Sequence, residues 1–178
     1  MLRGQGYTLL DSPEAIRPGT TRAVGLTDDS DYDLSAVVTN AVAALSRNSK
    51  GYFLMVEWDL HTDEVKRGLD RTLVIDRVIR ETVEKAGPRT LVIFAADHSF
   101  DIRVRGGGKG RPLLPEPTPG EAAPANPPLR MDDGHTGEEV VVAALGPGAR
   151  RVRGFIANTD LFQIMLAAYG WKEDAAAR

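Results

Sequence analysis

Apolar residues recur at three- and four-residue steps in three parts of the chain, and this spacing predicts three amphipathic helices. The first runs from residue 33 to residue 45, the second from residue 63 to residue 86, and the last from residue 160 to about residue 169. The second helix has a predicted core stripe of Leu69, Leu73, Val74, Ile75, Val78, Ile79 and Val83, and the last helix one of Leu161, Phe162, Met165 and Leu166. The boundary residues have suitable chemistry: Asp31 or Asp33 before the first helix, Gly87–Pro88 after the second and Thr159 before the last.

Three short apolar runs suit buried strands. They cover residues 52–56, 90–96 and 139–145. The order helix, strand, helix, strand favours parallel pairing with helices covering the sheet, so the sequence predicts an α/β fold. Residues 1–31 mix Gly, Pro, Thr and Asp and are interpreted as an irregular connection. Residues 106–126, which are rich in Gly and Pro, are interpreted as a long loop.

Composition narrows the possible partners and ligands. The 178 residues suffice for one compact domain, and the formal net charge of -3 gives no reason to expect nucleic acid as a partner. No apolar run approaches the roughly 20 residues that span a bilayer, so no membrane partner is predicted. The sequence has no cysteine, which excludes disulfides and thiolate metal sites and leaves cytosol and periplasm undecided. Any metal ion must therefore be held by His, Asp, Glu or other oxygen donors.

The sequence has three histidines, and each stands beside an apolar run and near acids. His61 follows the first run, His98 follows the second directly, and His135 precedes the third. The neighbouring acids are Glu57, Asp59 and Asp63 for His61, Asp97 for His98, and Asp132 with Asp133 for His135. Imidazole and carboxylate are the ligands that zinc accepts without thiolates, so these clusters are candidate metal ligands; the alternative is a set of surface or capping residues. Because His135 enters a strand, it shares the sheet edge of the others only if that strand runs antiparallel or its loop folds back.

Four motifs in this chain resemble the alkaline phosphatase family. They are GYFLMVE at residues 51–57, TLVIFAADHS at residues 90–99, HTGEEV at residues 135–140, and NTDLFQIMLAAYGW at residues 158–171. Each motif is a moderate signal by itself, whereas their order and spacing together are specific. The resemblance covers the chain from about residue 34 and implies the C-terminal half of that family's catalytic domain, an α/β sheet covered by helices.

The resemblance implies a role for several of the acids and histidines. Asp97 and His98 match ligands of one zinc ion in the family, and His135 matches a ligand of a second zinc ion. Glu57 matches the glutamate that holds magnesium. The implied cofactors are therefore two zinc ions and one magnesium ion.

The loop after Glu57 departs from the family's pattern. The family has an acid about five residues after the glutamate and a histidine four further on, whereas this chain has a shortened or rebuilt loop. Asp59 and His61 are the expected remaining ligands of the His135 zinc. Asp63 is an alternative, because it keeps the four-residue spacing from Asp59 with an acid in place of the histidine.

The family's nucleophilic serine lies in the first half of its domain, and its surrounding pattern is absent from this sequence. Asp11–Ser12 has the right dipeptide, but Pro13 follows it and no predicted strand precedes it, so Ser12 is interpreted as a turn residue. The expected function is therefore metal-dependent hydrolysis of a phosphate monoester that needs a missing N-terminal half, the chain alone being inactive. The alternatives are a phosphodiesterase or sulfatase of the same superfamily, or a non-catalytic metal-binding scaffold. Family members are often dimers and often exported, which implies a possible homodimer and a periplasmic or secreted location.

Overall fold

The computed structural model describes residues 3–26, 32–60, 65–106, 109–110, 112–114, 119–120, 122 and 128–171, without the side chains of residues 131–133. The helices of this part are α1 (Leu34–Leu45), α2 (Val65–Ala86) and α3 (Asn158–Ala168). The strands are β1 (Thr8–Leu10), β2 (Ala23–Gly25), β3 (Val92–Ala95), β4 (Ser99–Val104), β5 (Leu129–Thr136) and β6 (Val142–Leu145). Helices and small sheets occur together, which confirms the predicted α/β class.

Helix α1 forms where the spacing predicts it. The Asp33 carboxylate accepts a hydrogen bond from the backbone N–H of Ala36 (3.1 Å), which satisfies a donor that the first turn leaves unpaired. Leu34, Val38 and Val42, spaced four residues apart, are 4%, 3% and 2% exposed. The predicted helix start and its apolar face are therefore confirmed.

Helix α2 ends where the sequence predicts, but fewer of its apolar residues are buried than predicted. The N–H of Gly87 donates to the Val83 carbonyl (3.2 Å), and Gly87 has a φ of +75°, the left-handed conformation of a helix C-terminus. Val78 is buried, whereas Leu69 and Leu73 are 52% and 70% exposed. Placing these two leucines in the core was wrong. Residues 63–64 of the predicted helix lie outside the described residues.

The N-cap and the buried face of helix α3 differ from those that the sequence predicts. The Asp160 carboxylate accepts a hydrogen bond from the N–H of Ala157 (3.1 Å), so Ala157 is the N-cap and not Thr159. Ile164 is 1% exposed and Phe162 is 56% exposed. The prediction that Phe162 faces the core was wrong, because the buried face of α3 contains Ile164 instead.

Strand β3 pairs with β6 and falls within the predicted run at 90–96. The N–H of Ala96 donates to the Val141 carbonyl (3.3 Å), which extends this contact beyond β3. Directly after β6, Gly146 has a φ of +97°, and a Cβ added to it would lie 2.1 Å from the carbonyl oxygen of Thr90. Glycine is therefore required where residue 146 approaches the backbone of Thr90.

The run at residues 52–56, predicted as a buried strand, lies outside helices and strands. Phe53 and Met55 are 62% and 73% exposed. The prediction was wrong, because a β-prone sequence becomes a strand only when another strand pairs with it.

The N-terminal stretch contains structure that the sequence did not predict. Strands β1 and β2 pair in parallel, with Leu9 opposite Val24. Ser12 precedes a short 3₁₀ turn at Pro13–Ala15. The described residues between 106 and 126 stand outside helices and strands.

The chain divides into two compact units. The first comprises residues 1–58, 75–94 and 143–178, and the second comprises residues 59–74 and 95–142. Among the described residues, no helix is long and apolar enough to cross a membrane.

Candidate metal centre

Two of the three histidines meet at one end of an antiparallel hairpin. His98 precedes β4, and His135 lies near the end of β5, where it pairs with Phe100. The imidazoles of His98 and His135 are stacked, with ring centroids 3.7 Å apart and planes inclined by 18°. The sequence places His135 before the strand predicted at residues 139–145 and does not predict β5, so its position within an antiparallel pair is a finding of the structure.

The ring of Phe100 makes edge-to-face contacts with both imidazoles. Its centroid lies 4.9 Å from that of His98 and 5.5 Å from that of His135, with interplanar angles of 76° and 88°. Edge-to-face pairs of this kind contribute about 0.5–1.5 kcal/mol beyond area burial. Sequence reasoning missed Phe100, although its alternation with Ile102 and Val104 is a two-residue period that indicates a strand.

The Asp97 carboxylate lies beside the His98 imidazole. The Asp97 Oδ2 atom lies 3.3 Å from His98 Nε2, and His98 Nδ1 lies 3.3 Å from the Ser99 carbonyl oxygen. If Nδ1 carries the proton and donates it to Ser99, the Nε2 lone pair faces a carboxylate, and a cation is needed between the two. A proton or a metal ion can fill that role.

The Asp97 to His98 distance fits zinc coordination. Two ligands bound at about 2.05 Å with a tetrahedral angle are separated by about 3.3 Å. The observed Oδ2 to Nε2 distance is 3.3 Å. Asp97 is 84% exposed and His98 is 27% exposed, so the pair is reachable from solvent.

The Asp101 carboxyl, in the same unit, has a pKa below its ordinary value. A hydrogen bond from Arg103, then the charges of Arg103 and Arg130, lower the pKa of Asp101.

The other predicted ligands are Glu57, Asp59 and His61, with Asp63 as an alternative. Glu57 is exposed and belongs to the first unit, whereas Asp59 is exposed and belongs to the second. Arg71 Nη1 on α2 donates to the Asp59 carbonyl (3.0 Å), which anchors the backbone of that loop. His61 and Asp63 lie outside the described residues. Within the described part of the chain, no three acids or histidines converge closely enough to hold one metal ion.

Comparison with known proteins identifies one family and several relatives that this chain resembles. Residues 20–119 match the alkaline phosphatase family. The chain is 31% identical over 157 residues to an alkaline phosphatase of Escherichia coli, which covers 82% of this chain and 33% of that protein. It is 35% identical over 147 residues to a streptomycin-6-phosphate phosphatase of Streptomyces griseus, covering 68% and 30% respectively. It is 26% identical to alkaline phosphatase 4 of Bacillus subtilis, covering 90% of this chain and 51% of that protein. The chain therefore spans about a third to a half of the length of these relatives.

Proposed function

The chain belongs to the alkaline phosphatase family, and we propose that it supplies the metal-ligating C-terminal part of a phosphate monoester hydrolase that uses two zinc ions and one magnesium ion. The family assignment and the names of the relatives support a phosphatase. The relative named for streptomycin 6-phosphate acts on a phosphorylated alcohol, which favours a monoester over a diester or a sulfate. The proposed ligands are Asp97 and His98 for one zinc, His135, Asp59 and His61 for the other, and Glu57 for magnesium.

The observation that carries the proposal is the group of Asp97, His98 and His135. Asp97 and His98 have the separation of two ligands on one tetrahedral ion. The imidazoles of His98 and His135 are stacked with ring centroids 3.7 Å apart, so two candidate ligands lie side by side.

The chain's own residues would orient the ligands. Phe100 restrains both rings through edge contacts. A His98 imidazole protonated on Nδ1 can donate to the Ser99 carbonyl, and its Nε2 lone pair is then directed toward a cation shared with Asp97. When bound, the zinc ions would act as Lewis acids that stabilise charge on the transferring phosphoryl group. The serine nucleophile and the phosphate-binding arginine would come from the part of the domain that this sequence does not contain.

The test is zinc binding by the purified chain, measured by competition with a chromophoric chelator and by metal analysis after gel filtration. We expect Asp97→Asn, His98→Asn and His135→Asn each to weaken zinc binding about tenfold or more. Asp101→Asn is the matched control. It removes a carboxylate from the same hairpin, but one that already accepts hydrogen bonds from Arg103. Equal effects of Asp97→Asn and Asp101→Asn would contradict the proposed ligand set.

Activity of the chain alone gives a second test. With the serine pattern absent and the metal ligands incomplete, we expect little or no hydrolysis of p-nitrophenyl phosphate even with excess zinc. Robust zinc-dependent turnover by this chain would show that the incomplete-site reasoning is wrong. If zinc binds without any phosphatase activity in a full-length version, and chelation lowers the melting temperature, the alternative of a metal-binding scaffold is favoured.

A further inference from the structure

The two faces of strand β4 carry different side chains. Arg103 donates hydrogen bonds to the Asp101 carboxylate from Nε (2.9 Å) and from Nη2 (2.6 Å), so these two residues share one face. Phe100 and Ile102 alternate with them and lie on the other face, because successive side chains of a strand point in opposite directions. The ring of Phe100 is therefore directed away from this ion pair and toward the imidazoles of the candidate metal centre.

Phe100 completes a cluster of three rings. It pairs with His135 in the register of β4 and β5, and His98 lies two residues before it in the sequence. Its ring is steeply inclined to both imidazoles, at 76° and 88°, with centroid distances of 4.9 Å and 5.5 Å. The imidazoles stack on each other with centroids 3.7 Å apart. Each ring therefore contacts the other two, and turning either imidazole out of place disturbs two ring contacts.

We propose that Phe100 is a positioning residue shared by both proposed zinc sites, whose ring holds His98 and His135 as a preformed pair of ligands. The inference rests on the proposed function, in which these two histidines bind different zinc ions. A side chain that is held in place before the metal arrives loses less freedom on binding, so the Phe100 ring raises the zinc affinity without touching an ion. Because one ring contacts both ligands, its loss weakens both sites.

The experiment measures the zinc affinity of the full chain, by chelator competition, for the natural sequence, Phe100→Leu, Phe100→Tyr and Ile102→Ala. Phe100→Leu keeps the apolar bulk and removes the ring, so we expect zinc binding to weaken about tenfold. Phe100→Tyr keeps the ring and should stay within about twofold of the natural sequence. Ile102→Ala is the matched control, because it trims a side chain on the same face of β4 that is 59% exposed, and it should also stay within about twofold. Phe100→Leu should weaken zinc binding again in His98→Asn and in His135→Asn chains, each of which keeps one of the two ligands.

A second measurement needs no metal. Nuclear Overhauser effects between the ring protons of His98 and His135 report the stacked pair in the metal-free chain, and urea denaturation reports the overall stability. We expect Phe100→Leu to lose these ring-to-ring effects and Ile102→Ala to keep them. Should Phe100→Leu fail to fold, Phe100→Ile replaces it, since a β-branched residue suits a strand.

Three outcomes would overturn the inference: unchanged zinc affinity in Phe100→Leu, an equal loss of affinity in Ile102→Ala, or weakening in only one of the two single-histidine chains. An unchanged affinity in Phe100→Leu, together with a loss in His98→Asn, removes the positioning role and leaves the proposed function standing. The proposed function fails separately: if zinc binding does not depend on Asp97 or His98, the ligand set is refuted. The ring-to-ring effects of the metal-free chain then still show whether Phe100 holds the two imidazoles together.

Discussion

Replacing Gly146 by alanine tests the close approach of this residue to the backbone of Thr90. Gly146 has a φ of +97°, and a Cβ there would lie 2.1 Å from the Thr90 carbonyl oxygen and 3.3 Å from the Leu91 Cα, whereas real Cβ contacts stay above 3.0 Å. The left-handed conformation costs an alanine about 1–2 kcal/mol. Displacing backbone adds about 1–3 kcal/mol, as for other overpacked sites. We expect a loss of about 3 kcal/mol in the free energy of unfolding, which lowers the melting temperature by roughly 6–12 °C.

The matched control is Gly154→Ala. Gly154 has a φ of +62°, but a Cβ there would meet nothing within 4 Å, so its substitution carries the conformational cost without the clash. We expect a loss of about 1–2 kcal/mol for Gly154→Ala. Both variants are compared with the natural sequence by urea denaturation followed by circular dichroism. Equal destabilisation of the two variants, within about 0.5 kcal/mol, would refute the close approach of Gly146 to Thr90.

Two further predictions concern helix α3 and the hairpin. Ile164→Ala should destabilise the protein by about 2–4 kcal/mol because Ile164 is 1% exposed. Phe162→Ala should cost less than about 1 kcal/mol because Phe162 is 56% exposed. If urea denaturation gave the reverse order, α3 would pack through its other face. Folding lowers the pKa of Asp101, chiefly through its hydrogen bond from Arg103 and less through the charge of Arg130. The contribution of Asp101 to the free energy of unfolding is therefore present above its ordinary pKa of 3.8. It is lost as the pH falls through the lower pKa of the folded protein. Arg103→Gln should move the carboxyl titration of Asp101, followed by NMR, back toward that ordinary value, and an unchanged midpoint would contradict the assignment.

The sequence predicts the start of α1 and the end of α2 well because these two boundaries are set by local chemistry. Asp33 supplies its carboxylate to an N–H three residues away, and Gly87 ends α2 in a left-handed conformation. Both interactions form within one helical turn of their own residue. Such boundaries can be predicted without knowledge of the rest of the fold.

The strand and face predictions fail where the deciding contact is distant in sequence. Residues 52–56 have strand-like composition, but the described residues supply no paired strand. In α3, Phe162 and Ile164 are both apolar, and only the elements that pack on the helix decide which one is buried. Local apolar spacing therefore predicts that a segment has an apolar face more reliably than it predicts which face is covered.

The register of the β4 and β5 hairpin explains why the meeting of His98 and His135 could be proposed but not located from the sequence. The paired strands are separated by residues 105–128, and the register shifts between Phe100 and Ile102, where one residue of β4 faces three of β5. Side chains alternate between the two faces of a strand, so a shift of one residue would place His135 on the face opposite Phe100. The resemblance to the family implies that both histidines are metal ligands, whereas the pairing of Phe100 with His135, which brings the two imidazole rings within 3.7 Å, is a finding of the structure. A register between strands that are far apart in the sequence cannot be predicted from local spacing.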